Sequence, residues 1–341
     1  MYMNKKKILL SVAAVASILL CGCTIKNESE EAKKNEEVKR EPSFAEIAKE
    51  VVNNTSYFSR MKAVLEVKLA AFKDVEISDV KEFKDRVSTI YAEAPCEEVG
   101  DKYICKSIAQ IGLLECQSAT TDENDPIVIV KDAILTNGKT RKKVNLVLLQ
   151  GTDLSDGQAT GIKEDILSGM SLSNEYLYDA YYAVYNNIKD TDTPLYFSGI
   201  SLGGMVAQQL SGLSYIKNYY TVSNVVSLAS PILAQDDINY DVTTVRRMVD
   251  TNDIVPTLST QENGSYESKY GEKNKALVKT GNYKTFIGTH VFSYVEKDGI
   301  FKDVDVLGNE FGGYYFEIDK NKITKYPAEK FEQTRKKLYR R

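Results

Sequence analysis

Pro194-Leu-Tyr-Phe-Ser-Gly-Ile-Ser-Leu-Gly-Gly-Met-Val-Ala-Gln-Gln-Leu210 is the stretch on which the fold turns. Its first six residues, bulky and mostly apolar, predict a buried strand ending at Gly199. Met205 to Leu210 predicts a helix. Between them lies Gly199-Ile-Ser201-Leu-Gly203, a G-x-S-x-G pentapeptide. A serine on a tight strand-to-helix turn is pushed clear of the backbone. Glycines two residues to either side keep that turn free of side-chain clashes, and the helix N-terminus that follows favours developing negative charge. The pentapeptide alone is a common pattern, and its place between a strand and a helix gives it weight.

Working outward, Ile127-Val-Ile-Val130 is a compact β-branched run, Asn137-Gly138 a strong turn signal, and Val144 to Leu149 a strand running into Gln150-Gly151-Thr152. Tyr178, Tyr181, Tyr182, Tyr185 and Ile188 mark one face of a helix. Val225 to Leu228, stopped by Ser230-Pro231, and Val245 to Val249 read as two more strands. Strands alternating with helices predict the α/β class: a mainly parallel sheet with helices on both faces, over residues 126–341.

The chain before this has a different texture. Lys5, Lys6 and Lys7 precede an apolar run from Ile8 to Leu20, too short to span a membrane comfortably and proportioned like a secretory signal. It ends in Leu20-Cys21-Gly22-Cys23, which resembles a bacterial lipobox. Gly22 before Cys23 suits lipidation of Cys23; bulky Leu20 before Cys21 does not. Residues 1–22 are therefore expected to be a signal peptide. The mature chain would be tethered by lipid to a membrane surface, facing outside the cytoplasm. Residues 23–43, rich in Lys, Glu and Asn, read as a disordered tether. From Phe44 the apolar residues Phe44, Ile47, Ala48, Val51 and Val52 recur at helical spacing, and residues 44–125 are expected to form a helical extension. The formal charge of −4 argues against nucleic acid as a partner, because such binding needs concentrated Lys and Arg. Cys96, Cys105 and Cys116 allow one disulfide in an exported chain, with the pairing open. They lack the spacing and histidine partners of a zinc site. Asp153, Asp156, Asp236 and Asp237 have no calcium-loop spacing and read as solvated loop residues. No metal or other cofactor is expected.

His290, in Gly288-Thr-His290, is the only histidine in the chain. It follows Ser201 and two candidate acids, Asp250 and Asp253, in the order serine, acid, histidine. An imidazole suits a serine nucleophile because it can take a proton near neutral pH and return it in the next step. Gly199-Ile-Ser-Leu-Gly-Gly204, Leu148-Leu-Gln-Gly-Thr152 and Asn252-Asp253-Ile-Val-Pro256 together resemble the class 3 lipase family of α/β-hydrolases, over about residues 125–295. The resemblance implies an α/β-hydrolase fold with Ser201 as nucleophile, Asp253 as acid and His290 as base. It also implies an oxyanion hole from the N–H groups of Thr152 and Leu202. It departs from the family at Ile200, where a histidine is usual, and at Gln150, where an arginine is usual. A lipase of this type carries its lid between Thr152 and Ser201; Ile162, Ile166, Leu167, Met170 and Leu172 form a short apolar stripe there, of a kind more often used in packing. Asp250 remains the competing acid. The expected activity is hydrolysis of carboxylic esters, with acyl lipids the natural substrate for a membrane-tethered enzyme. The alternative from another class is a surface lipoprotein that uses the fold only to bind a partner.

Overall fold

The computed structural model describes residues 92–117, 127–151, 176–232, 235–258 and 269–326, together with Glu46, Arg86, Thr89 and Glu267. The chain divides into two units, Met1–Ser43 and Phe44–Arg341, and every described residue falls in the second. The expected signal peptide, Cys23, the tether, Thr152 and the stripe from Ile162 to Leu172 all lie outside the described residues.

The class is α/β, built on one mixed sheet. In chain order its strands are β1 (Glu97–Val99), β2 (Lys102–Cys105), β3 (Ile127–Thr136), β4 (Arg141–Leu149), β5 (Leu195–Ile200), β6 (Val222–Leu228), β7 (Thr244–Asp250), β8 (Asn274–Lys279), β9 (Tyr315–Asp319) and β10 (Ile323–Tyr326). Across the sheet the order is β1-β2-β9-β3-β4-β5-β6-β7-β8, with β10 also on β3. From β4 to β8 all pairings are parallel. From β1 to β4 they are antiparallel. The expected parallel arrangement thus describes the half of the sheet that contains the pentapeptide.

Among the described residues the continuous helices are α1 (Ile108–Gln117), α2 (residues 176–187), α3 (Leu202–Gly212), α4 (Ser214–Tyr219) and α5 (residues 286–295). Because β4 to β8 follow one another across the sheet, crossover connections of one hand all fall on one face. Accordingly α2 and α3 cover the side that takes Val147, Leu195, Phe197 and Val225. The opposite side, which takes Leu146, Tyr196, Val226 and Met248, is covered by α1, α5 and the loop around Phe301 and Val304. Neighbouring residues of β4 and β5 alternate between these two cores, as the period of a strand requires. All six residues of β5 are buried, which is why its sequence reads as a continuous run. Gly112 lets α1 lie close: a Cβ there would already touch side chains of Leu228 and Val295.

The stretch expected to be wholly helical up to residue 125 includes two strands. Glu97–Val99 and Lys102–Cys105 form a hairpin whose second strand extends the sheet by pairing with β9. Its polar, exposed outer strand lacks the apolar alternation by which a strand is recognised. A disulfide between Cys96 and Cys105 staples this hairpin, and Cys116 is buried and takes no part in that bridge. The same end of the extension reaches α5. The Arg86 guanidinium pairs with Glu296 at 2.8 Å and sits 4.9 Å from the centre of the Phe292 ring.

Candidate active site

Ser201 occupies the turn between β5 and α3, at the carboxyl end of the central strand. Its backbone is in a region that residues other than glycine rarely adopt, φ 53° and ψ −118°, a conformation that costs on the order of 1–3 kcal/mol. The surroundings impose it. The Ser201 N–H donates to the Leu228 carbonyl at 2.8 Å, fixing the turn to the end of β6. A Cβ at Gly199 would collide with the backbone of Gly203, and one at Gly203 with the carbonyl oxygens of Leu149 and Gln150. Both glycines of the pentapeptide are therefore steric requirements of the turn.

Ser201 is also the N-cap residue of α3. A serine there ordinarily accepts a hydrogen bond from an N–H of the first turn, but this one makes no side-chain cap. Its Oγ instead lies 2.9 Å from Nε2 of His290. The hydroxyl is diverted from capping the helix, at a cost of about 1 kcal/mol, and the positive end of α3 faces the site. Leu202, the first residue of that helix, sits beside Ser201 and is half-exposed, and its N–H is one of the first-turn groups that have no partner within a helix.

His290 comes from α5, on a π-type turn from Gly288 to Phe292. Such turns widen a helix locally and re-aim the side chains on it. Gly288 lets this turn press against Tyr283 and Thr285, where a Cβ would clash. The Phe286 ring stacks on the imidazole with 5.3 Å between ring centres. His290 is 4% exposed while Ser201 is partly exposed, so the serine is the side of the pair that solvent reaches.

Nδ1 of His290 faces Asp253, at 3.1 Å from Oδ1 and 3.0 Å from Oδ2. A carboxylate only accepts and the serine hydroxyl has one proton to donate. The neutral imidazole that satisfies both therefore carries its proton on Nδ1 and offers a lone pair at Nε2. Asp253 lies beyond the end of β7, where its Oδ1 accepts the Val255 N–H at 3.0 Å and so starts the short turn Val255–Leu258. Asp250, the competing acid, is engaged elsewhere. Its carboxylate accepts the N–H groups of Asn252 at 2.9 Å and Gly281 at 3.1 Å, and the Ser293 hydroxyl. Asp250 thus ties the end of β7 to the segment after β8 and to α5, and Asp253 is left to meet the imidazole.

Of the residues singled out in the sequence, Ser201, His290 and Asp253 are brought together and Leu202 adjoins them. Asp236, read as a solvated loop residue, pairs with Lys269 and accepts from the Tyr270 hydroxyl. These partners hold its carboxyl below its ordinary range, Lys269 contributing most. Gln150, where the resembled family has arginine, is buried, and its side-chain oxygen has no hydrogen-bond partner among the described residues. Tyr294, not singled out from sequence, touches Asp253 directly. Its signal was the spacing of four from His290, which puts both on one face of a helix. Neither protein-family models, nor curated proteins, nor solved structures yielded a match to this chain.

Proposed function

We propose that this chain is a serine hydrolase of the α/β-hydrolase type, divergent from the class 3 lipases, that cleaves carboxylic esters through an acyl-enzyme. The observation that carries the reading is the unbroken relay Ser201–His290–Asp253, with separations of 2.9 Å and 3.0 Å, mounted on a strained serine turn. A protein that used this surface only for binding would have no need of such a turn, nor of a serine withheld from its cap.

In the proposed reaction His290 Nε2 takes the Ser201 proton as Oγ attacks the ester carbonyl. The carbonyl electrons move to oxygen, where the Leu202 N–H meets them; Thr152 is the expected second donor. The imidazolium, held by Asp253, returns the proton to the departing alcohol. Water then repeats the sequence on the acyl-enzyme, releasing the acid and restoring Ser201. Each step moves one proton between Nε2 and Oγ, the leaving alcohol's oxygen or water, and no cofactor is called for. Acyl lipids are the substrate class that suits a chain tethered through Cys23 to a membrane facing outside the cytoplasm.

A fluorophosphonate probe tests the reading. Wild-type protein is expected to label, and Ser201→Ala to lose the label while remaining folded. An unlabelled, folded wild type would instead favour a binding role. A panel of esters of increasing acyl length then separates lipase from esterase. Mass spectrometry of the mature N-terminus checks the anchor, with cleavage before Cys23 and an acylated Cys23 expected.

A further inference from the structure

We infer that Tyr294 is a positioning residue for the acid of the triad, its hydroxyl holding Asp253 in the orientation His290 requires. The inference rests on reading Ser201, His290 and Asp253 as a triad, and it adds a fourth group to it. The Tyr294 hydroxyl lies 2.7 Å from the backbone nitrogen of Asp250 and 3.0 Å from Oδ2 of Asp253. The direction of each bond follows from its partner. A backbone N–H can only donate, so the tyrosine oxygen accepts from Asp250. An ionised carboxylate can only accept, so the single hydroxyl proton goes to Asp253.

This geometry solves a problem of the site. Asp253 sits on a turn beyond the strand, closed by its own N–H donating to the Asp250 carbonyl at 3.0 Å. Without a further contact the carboxylate could rotate about its side-chain bonds. Its Oδ1 is fixed by the Val255 N–H and its Oδ2 by Tyr294, so both oxygens are pinned before the imidazole approaches. The tyrosine is itself immobile: fully buried, with its ring stacked on Phe301 at 5.2 Å between centres. Burial, with the Asp253 charge beside it, pushes its hydroxyl well above its ordinary titration range, so it remains a donor. His290 and Tyr294 stand on one helix, so a movement of α5 carries the base and the clamp on its acid together.

The test uses Tyr294→Phe, which keeps the ring and removes the hydroxyl, beside Phe301→Leu, which loosens the same packing and leaves the hydroxyl in place. For Tyr294→Phe, fluorophosphonate labelling and kcat on a soluble nitrophenyl ester should fall roughly 10- to 100-fold with KM little changed, the scale of one hydrogen bond to a charged group. The single histidine gives a second readout independent of turnover. In an NMR titration the His290 midpoint should fall in Tyr294→Phe, because an Asp253 no longer held in line with Nδ1 stabilises the imidazolium less. Phe301→Leu should unfold at lower temperature yet label at close to the wild-type rate, with its midpoint unmoved. Wild-type labelling together with an unchanged rate and midpoint in Tyr294→Phe overturns the inference and leaves the triad standing. An equal rate loss in Phe301→Leu, or failure of Tyr294→Phe to fold, makes the residue structural and also overturns it. A wild type that does not label at Ser201 removes the triad reading and the inference with it.

Discussion

Replacing Glu115 by glutamine should make the protein more stable at alkaline pH and leave it little changed at acid pH. Glu115 lies on α1, 1% exposed, in the layer against β5. Burial pushes its carboxyl from 4.5 to about 8, against a smaller opposing pull from the Ser198 hydroxyl. Among the described residues neither carboxyl oxygen has a full hydrogen-bond partner, and burial therefore dominates. The nearby Tyr176 and Tyr196 hydroxyls are themselves driven well above their ordinary range by burial, so they add no charge at these pH values. The sign follows from proton counting. Between 4.5 and about 8 the unfolded chain has released the Glu115 proton and the folded chain has kept it. The unfolded state then binds fewer protons, so unfolding becomes easier as pH rises through that window. At about 1.4 kcal/mol per pH unit, the wild type should lose on the order of 3–5 kcal/mol across it through this group alone. Glutamine cannot ionise, and its buried amide carries a constant cost of about 1–3 kcal/mol. Urea unfolding of both proteins at pH 5, 6.5 and 8.5 is the assay. The two should lie close together at pH 5, and Glu115→Gln should be the more stable at pH 8.5. A stability difference that does not vary with pH would refute the reasoning.

Three further perturbations address the site and its frame. Asp253→Asn should lower kcat by roughly 10⁴-fold with the fold intact, whereas Asp250→Asn should cost about 2–3 kcal/mol of stability and far less rate at a permissive temperature. Paired kcat and thermal-unfolding measurements decide between them, and a dead but stable Asp250→Asn would reverse the two assignments. Gly203→Ala should lose more than about 3 kcal/mol, beyond ordinary overpacking, because the obstacle is main chain at Leu149 and Gln150 and cannot rotate away; soluble yield and melting temperature report it. Reduction of Cys96–Cys105, or its replacement by two serines, should lower stability by about 2–3 kcal/mol while leaving ester hydrolysis at 25 °C nearly unchanged. The hairpin lies at the edge of the sheet away from β5, and unfolding with and without reductant measures the effect.

The parts of this molecule legible in its sequence are those whose structure is dictated within a few residues. Strand β5 and the carboxyl halves of β4 and β6 announce themselves because burial on both faces makes them runs of mostly apolar side chains, whereas in β7 only Val245, Met248 and Val249 frame Arg246 and Arg247. The Ser201 turn is legible because two glycines and a following helix are its local steric needs. By contrast β1, β8 and β10 carry mostly exposed or half-exposed residues and exist because a neighbour supplies hydrogen bonds. In β9, Phe316 and Ile318 do alternate with half-buried residues, but five residues are too few to set a strand apart before its pairing with β2 and β3 is known. The acid shows the limit most clearly. Asp250 and Asp253 are chemically identical and three residues apart, and the only local signal that ranks them is the likeness of Asn252–Pro256 to a family motif. What separates them is remote: Gly281 and Ser293 saturate Asp250, while His290 and Tyr294 converge on Asp253. Ser293, Tyr294 and His290 all stand on α5, so the helix that carries the proposed base also supplies partners to both carboxylates. The chain order of serine, acid and histidine therefore reflects a physical division. The proposed nucleophile is set by its own turn, and the proposed acid by which donors a later helix presents to it.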